Sequence, residues 1–132
     1  MNVFNSTFLL RLGVAITLLV HSIPGMFNNG INEFGELFLD QRGFAPLGVP
    51  LAWLIKLSHV FCAFCLLFEK YIKIACLITI AVLIGGIILV HFQEGWFVVG
   101  GGRNGMEFNF ILIIVLLTIM FPGGLKRQPQ KN

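Results

Sequence analysis

The sequence predicts an all-α membrane protein: a bundle of four transmembrane helices with a short outer interfacial helix between helices one and two. Three observations carry that prediction. Hydrophobic residues make up 57% of the 132 residues and charged residues only 11%, where a soluble domain carries about 25% charged. Four long apolar runs divide the chain, each near the roughly 20 residues that cross a ~30 Å hydrocarbon layer. None of these runs alternates with the period-two pattern of a membrane barrel strand. A backbone in lipid must satisfy its hydrogen bonds within the segment, which leaves helices. The length suits one domain, so residues 1–132 read as a single transmembrane unit.

The helices are expected at about 7–27, 47–68, 72–92 and 106–122. The first run is expected to stay in the protein. Its early charge, Arg11, already lies inside the run, and His21-Ser22-Ile23-Pro24-Gly25 offers no small-x-small cleavage site. Between the first two helices, Ile31, Phe34, Leu37 and Phe38 recur at helical spacing, with Asn32, Glu33, Glu36 and Asp40 opposite. Asn29 is placed to cap this segment and Gly43 to end it, giving an amphipathic helix on the outer surface. The turn at 69–71 is minimal and makes helices two and three an antiparallel hairpin. The third connection, 93–105, places Trp96 and Phe97 at the interface and then runs through Gly100-Gly101-Gly102. Those glycines suit a flexible loop, with a backbone nest for an anion as the alternative. A polar tail, 126–132, closes the chain and is expected to be disordered.

Lys and Arg set the expected orientation. With the N-terminus inside, the inner side holds Lys70, Lys73, Lys126, Arg127 and Lys131, and the outer side Arg42 and Arg103. Five against two puts both termini in the cytoplasm. The formal charge of +3 therefore marks topology and anionic lipid headgroups. No basic run interleaved with aromatics points to nucleic acid. The expected partners are the lipid bilayer and other membrane proteins or further copies of the chain.

Ionisable groups inside a bilayer are functional candidates by default. At 1.5 Å per residue, His21 lies roughly 21 Å from the inner surface, Lys56 about 18 Å and Glu107 about 22 Å, so three helices place a polar group in one layer. Lys56 and Glu107 are expected to pair, with His21 as a neutral neighbour and Trp53 as a roof. His59 shares a helix face with Lys56, and His91 lies higher, at roughly 29 Å. Arg11, at about 6 Å, is expected to snorkel to the inner interface. Arg11, Trp96 and Arg103 are the expected interface anchors. The layer is read either as a site that exchanges protons or meets a quinone head, or as structural polarity fixing helix packing.

Other chemistry finds less support. A b-type haem needs two histidines at one level, and His21 and His59 differ by about 7 Å in this estimate. Cys62-Ala-Phe-Cys65 and Cys76 fall in the inner half, facing a reducing compartment, and serve as small packing residues. No metal-ligand spacing, nucleophile elbow or phosphate loop occurs.

Several short stretches resemble the DoxX-like membrane family. They are His91-Phe-Gln-Glu-Gly-Trp-Phe97, Asn104-Gly105-Met106-Glu107, the closing Phe121-Pro122-Gly123-Gly124 and, near the start, Arg11-Leu-Gly13. The second helix departs from the family, reading Lys56-Leu-Ser-His59 where many members carry a Glu. The resemblance implies a four-helix fold and a link to membrane redox systems, the family taking its name from a thiosulfate:quinone oxidoreductase. Three functional expectations follow. The first is a small subunit of a redox-linked complex in the bacterial cytoplasmic membrane, touching quinone at the outer polar layer. The second is a non-enzymatic scaffold or assembly subunit. The third is a small transporter or proton relay.

Overall fold

The computed structural model describes residues 4–101 and 103–124, and these are helical and loop in character. The tail 126–132, Gly102 of the glycine run, and three cations of the orientation argument, Lys126, Arg127 and Lys131, lie outside the described residues.

Helix α1 spans Phe8–Phe27. A short α2, Gly30–Glu33, continues through a π-helical stretch, Phe34–Leu39, and a 3-10 turn, Asp40–Arg42. Helix α3 spans Gly48–Leu67. Helix α4, Ile72–Gly86, passes through a second π-helical stretch, Ile87–His91, into α5, Phe92–Glu94. Helix α6 spans Glu107–Met120. Three helical stretches, Phe8–Phe27, Gly48–Leu67 and Ile72–Glu94, are long and apolar enough to cross a membrane. Large apolar side chains such as Leu9, Ile16, Leu54, Phe61 and Ile88 face outward, which marks lipid rather than water as their solvent.

The helices pack in chain order, α1 on α3, α3 on α4 and α4 on α6, with α6 returning to α1. Small residues let the backbones approach: Ala15, Ala63, Ala75 and the thiols of Cys62, Cys65 and Cys76 fill the core with Leu18, Leu66 and Leu116. The three cysteines are free and buried. The lower end of the bundle holds residues 4–7, the α3–α4 turn and residues 121–124. The upper end holds the segments 28–47 and 95–106.

Arg11 departs from its expected role. It is 1% exposed rather than snorkelling. It donates to the Leu66 carbonyl at 2.6 Å and to Thr7 Oγ1 at 3.3 Å, and it faces Glu69 across 3.9 Å. The Leu66 carbonyl is an orphan of the α3 C-terminus, and a cation there also suits the helix dipole. Glu69 accepts a further hydrogen bond from Asn5 Nδ2.

The upper segment also folds differently from a simple amphipathic helix. Asn29 and Gly43 do bound it, with φ of 63° and 96°. The π-helical turn adds a residue to the repeat and rotates the faces. The buried row is Ile31, Gly35 and Leu39, while Leu37 is 63% exposed. Gly35 lies directly against the α3 backbone at Val49. Asp40, expected to face water, accepts from the Gly48 N–H at 2.8 Å and so caps α3. Trp53, expected as a roof, donates instead to Asn32 Oδ1 at 2.8 Å and pins α2 to α3.

Candidate polar cavity at the upper end

A cavity of about 810 Å3 opens among α1, the upper segment, α3, α4 and α6. Its apolar wall includes Leu18, Phe34, Phe38, Leu51 and Leu112, and its polar wall includes His21, Lys56, His59, His91 and Asn109. Four of the five expected polar residues therefore meet in one space.

Each polar group arrives by a local reason. Pro24 lies inside α1 and removes one N–H from its ladder, one turn after His21. The His21 carbonyl accepts from Lys56 Nζ at 3.2 Å. The ammonium also sits 5.8 Å from the centre of the Phe34 ring, a cation–π contact. No carboxylate lies in ion-pair reach of Lys56 among the described residues.

His59 is 4% exposed. Its Nδ1 meets Ser22 Oγ at 3.3 Å, and its Nε2 has no hydrogen-bond partner among the described residues. Nothing else among those residues accepts the Ser22 hydroxyl proton, so the assignment that leaves fewest buried groups unpaired has Ser22 donating to Nδ1 and the ring proton on Nε2. His59 is thus a buried donor without a partner, one turn from Lys56 on the same helix face. Its ring centre lies 6.0 Å from that of His21. Depth counted along each helix had separated these rings, because it ignores where one helix sits against the next.

His91, expected at the rim, lines the cavity wall. The π-helical stretch Ile87–His91 rotates it inward, and its Nδ1 donates to the Asn104 carbonyl at 2.7 Å. Asn109, 7% exposed, donates through Nδ2 to the Leu83 carbonyl at 3.2 Å, where the α4 ladder changes register. Sequence reasoning missed Asn109. Its signal was an amide two residues after Glu107 in an otherwise apolar run, with no partner legible in the chain.

Glu107 corrects the expected ion pair. Its Oε1 accepts from the N–H groups of Val98 and Val99, each at 2.8 Å, rather than from Lys56. The carboxylate is the first residue of α6 and reaches back into its own preceding loop, which costs less than crossing the cavity. Backbone bonds from Met106 to Gly95 and from Glu107 to Trp96 close the same loop. A backbone N–H pair does hold an anion here, but it belongs to the two valines before the glycines and the anion is the chain's own. Trp96 packs on Phe110 with ring centres 5.4 Å apart, and Arg103 is exposed, as interface anchors would be.

Comparison with known proteins gives no match. Neither a family model, nor a curated protein, nor a solved structure matches the chain. Its chemistry therefore rests on the cavity. That cavity is lined by the Lys56 ammonium, which has no carboxylate in ion-pair reach among the described residues, by three histidines, by the Asn109 amide and by apolar side chains. Among the described residues no cluster of three metal-binding side chains occurs.

Proposed function

We propose that this chain is a small integral membrane subunit of a redox-linked complex, and that the upper cavity receives the head group of a quinone. The observation that carries the reading is the buried His59 Nε2, without a partner among the described residues, one turn from Lys56, which has no carboxylate in ion-pair reach among them, both residues lining one cavity of about 810 Å3. A buried donor without a partner costs about 1–3 kcal/mol. A ligand oxygen between His59 and Lys56 removes that cost. A quinone carbonyl accepts from both, while its ring and chain meet Phe34, Phe38 and the leucines. The resemblance to DoxX-like proteins, with their redox association, agrees with this ligand class. The connecting segments are too short for a separate catalytic domain, and the reading assigns electron transfer to a partner protein.

In this reading the chain lies in a bacterial cytoplasmic membrane with the cavity on the outer side and both termini inside. Lys70 and Lys73 at the lower end, with the basic tail, satisfy the positive-inside rule. Helix α6 serves as the fourth span. Its 14 residues rise roughly 21 Å, and Met106 and Phe121 extend it with local bilayer thinning. The segment from Gly30 to Arg42 lies in the outer interface, its Phe38 ring under the Arg42 guanidinium at 4.6 Å.

The test is photolabelling in lipid nanodiscs with an azido-substituted short-chain quinone, mapped by mass spectrometry. Saturable labelling of peptides around His21, His59 and Asn109, competed by decylubiquinone, is the expected result. Labelling spread over the outward face without saturation would sink the proposal.

A further inference from the structure

The donor pair on α3 explains one oxygen of a quinone head and leaves the far wall of the cavity unassigned. That wall is built around Gly86. A side-chain carbon there would lie 3.3 Å from Asn109 Nδ2 and 3.9 Å from His91 Nε2. Glycine therefore leaves a notch, open to the cavity, that two polar side chains flank.

The hydrogen-bonding sense of the notch follows from partners already described. His91 Nδ1 faces a carbonyl, which only accepts, so Nδ1 carries a proton, and in the neutral form of the ring Nε2 presents a lone pair. Asn109 spends one N–H on the Leu83 carbonyl and keeps a second. The notch thus offers an acceptor, His91 Nε2, and a donor, Asn109 Nδ2–H, on its two sides. A hydroxyl is the group that answers both, giving its proton to His91 and accepting from Asn109. A bare carbonyl answers only the amide and sets its lone pairs against those of His91 Nε2.

We infer that Gly86, His91 and Asn109 form a hydroxyl subsite, and that the cavity takes the reduced, hydroxyl-bearing quinol in preference to the quinone. The inference rests on the proposed quinone reading and adds to it the redox form. At the opposite end a hydroxyl oxygen accepts from His59 and Lys56 as a carbonyl does, and its own proton turns away from those two donors toward the open cavity. Discrimination therefore resides at the notch. One neutral hydrogen bond gained in place of a lone-pair conflict corresponds to roughly tenfold in affinity.

The experiment is equilibrium dialysis of the full chain in nanodiscs, under argon, with three probes: decylubiquinone, its chemically reduced quinol, and the dimethyl ether of that quinol. The ether keeps both oxygens as acceptors and removes both hydroxyl protons. The expected order is quinol bound about tenfold more tightly than quinone, with the ether no tighter than the quinone. Gly86→Ala fills the notch, and His91→Phe removes the acceptor. In each the quinol-to-quinone ratio falls toward one, while Ile88→Ala on the outward face keeps the ratio of the unaltered chain. Quinone bound as tightly as quinol in the unaltered chain overturns the inference and leaves the quinone reading standing. Saturable binding of none of the three probes overturns both.

Discussion

At the scale of single residues, the decisive facts are about which proton sits on which atom. With Ser22 assigned as the donor to His59 Nδ1, the ring proton falls on the buried Nε2. Ser22→Ala removes that lock at little cost to the helix, since alanine is the better helix former. Decylubiquinone affinity in nanodiscs is expected to fall roughly fivefold, the weight of one neutral hydrogen bond, with the chain still monodisperse in detergent. An unchanged affinity would show that the tautomer of His59 is irrelevant to the ligand. Arg11 makes the complementary case at the lower end, where the role is structural. Arg11→Met strands the Leu66 carbonyl and takes from Glu69 its cation while Asn5 still donates to it, whereas Glu69→Gln leaves Arg11 its bonds to Leu66 and Thr7. Thermal unfolding in detergent is expected to show a loss of about 3 kcal/mol for the first and clearly less for the second. Equal losses would place the stability in the ion pair rather than in the helix-end contact.

At the scale of elements, two π-helical stretches and two polar caps shape the cavity. The upper segment can lie on α3 because Gly35 brings its backbone against Val49, where a methyl group would sit 2.5 Å from the Val49 Cα. Gly35→Ala must therefore push the segment off α3 and take Phe34 and Phe38 away from the cavity wall. Expected consequences are faster hydrogen exchange over Gly30–Arg42 and weaker quinone photolabelling. Unaltered exchange in that segment would mean the close approach is not what holds it. The α4–α6 loop depends on Glu107 in the same way. In Glu107→Ala the amides of Val98 and Val99 lose their acceptor. Their exchange is expected to rise by roughly an order of magnitude, the weight of a hydrogen bond to a charged group. Lys56 has no such bond to lose, so a Lys56→Met variant keeps this loop protected.

At the scale of the whole molecule, the distribution of charge and of apolar surface sets where the chain lies. The lower end carries Lys70 and Lys73 and the upper end carries Arg42 and Arg103. A reporter fused after residue 132 is expected to be active only in the cytoplasm, and one inserted between Gly100 and Gly101 only outside. Activity of the C-terminal fusion in the periplasm would reverse the orientation and place the cavity on the inner side.

The sequence by itself determined the helices, because length and hydropathy are local and lipid leaves an apolar backbone no alternative. Expected bounds of about 7–27, 47–68, 72–92 and 106–122 meet observed helices at Phe8–Phe27, Gly48–Leu67, Ile72–Glu94 and Glu107–Met120. It also marked His21, Lys56, His59 and His91, since ionisable groups stand out in such runs. What it left open was pairing. Glu107 and Lys56 matched in charge and estimated depth, yet a carboxylate at a helix start finds its own loop amides before it finds a lysine across the bundle. Arg11 was read as reaching for the headgroups, whereas the end of α3 offered it an orphan carbonyl. The π-helical turns, which rotate Leu37 out and His91 in, have no periodicity signal in the chain, and the first of them lies packed on α3. Tertiary structure alone decided the partners, since each depends on how one helix is offset and rotated against the next, which no single helix encodes.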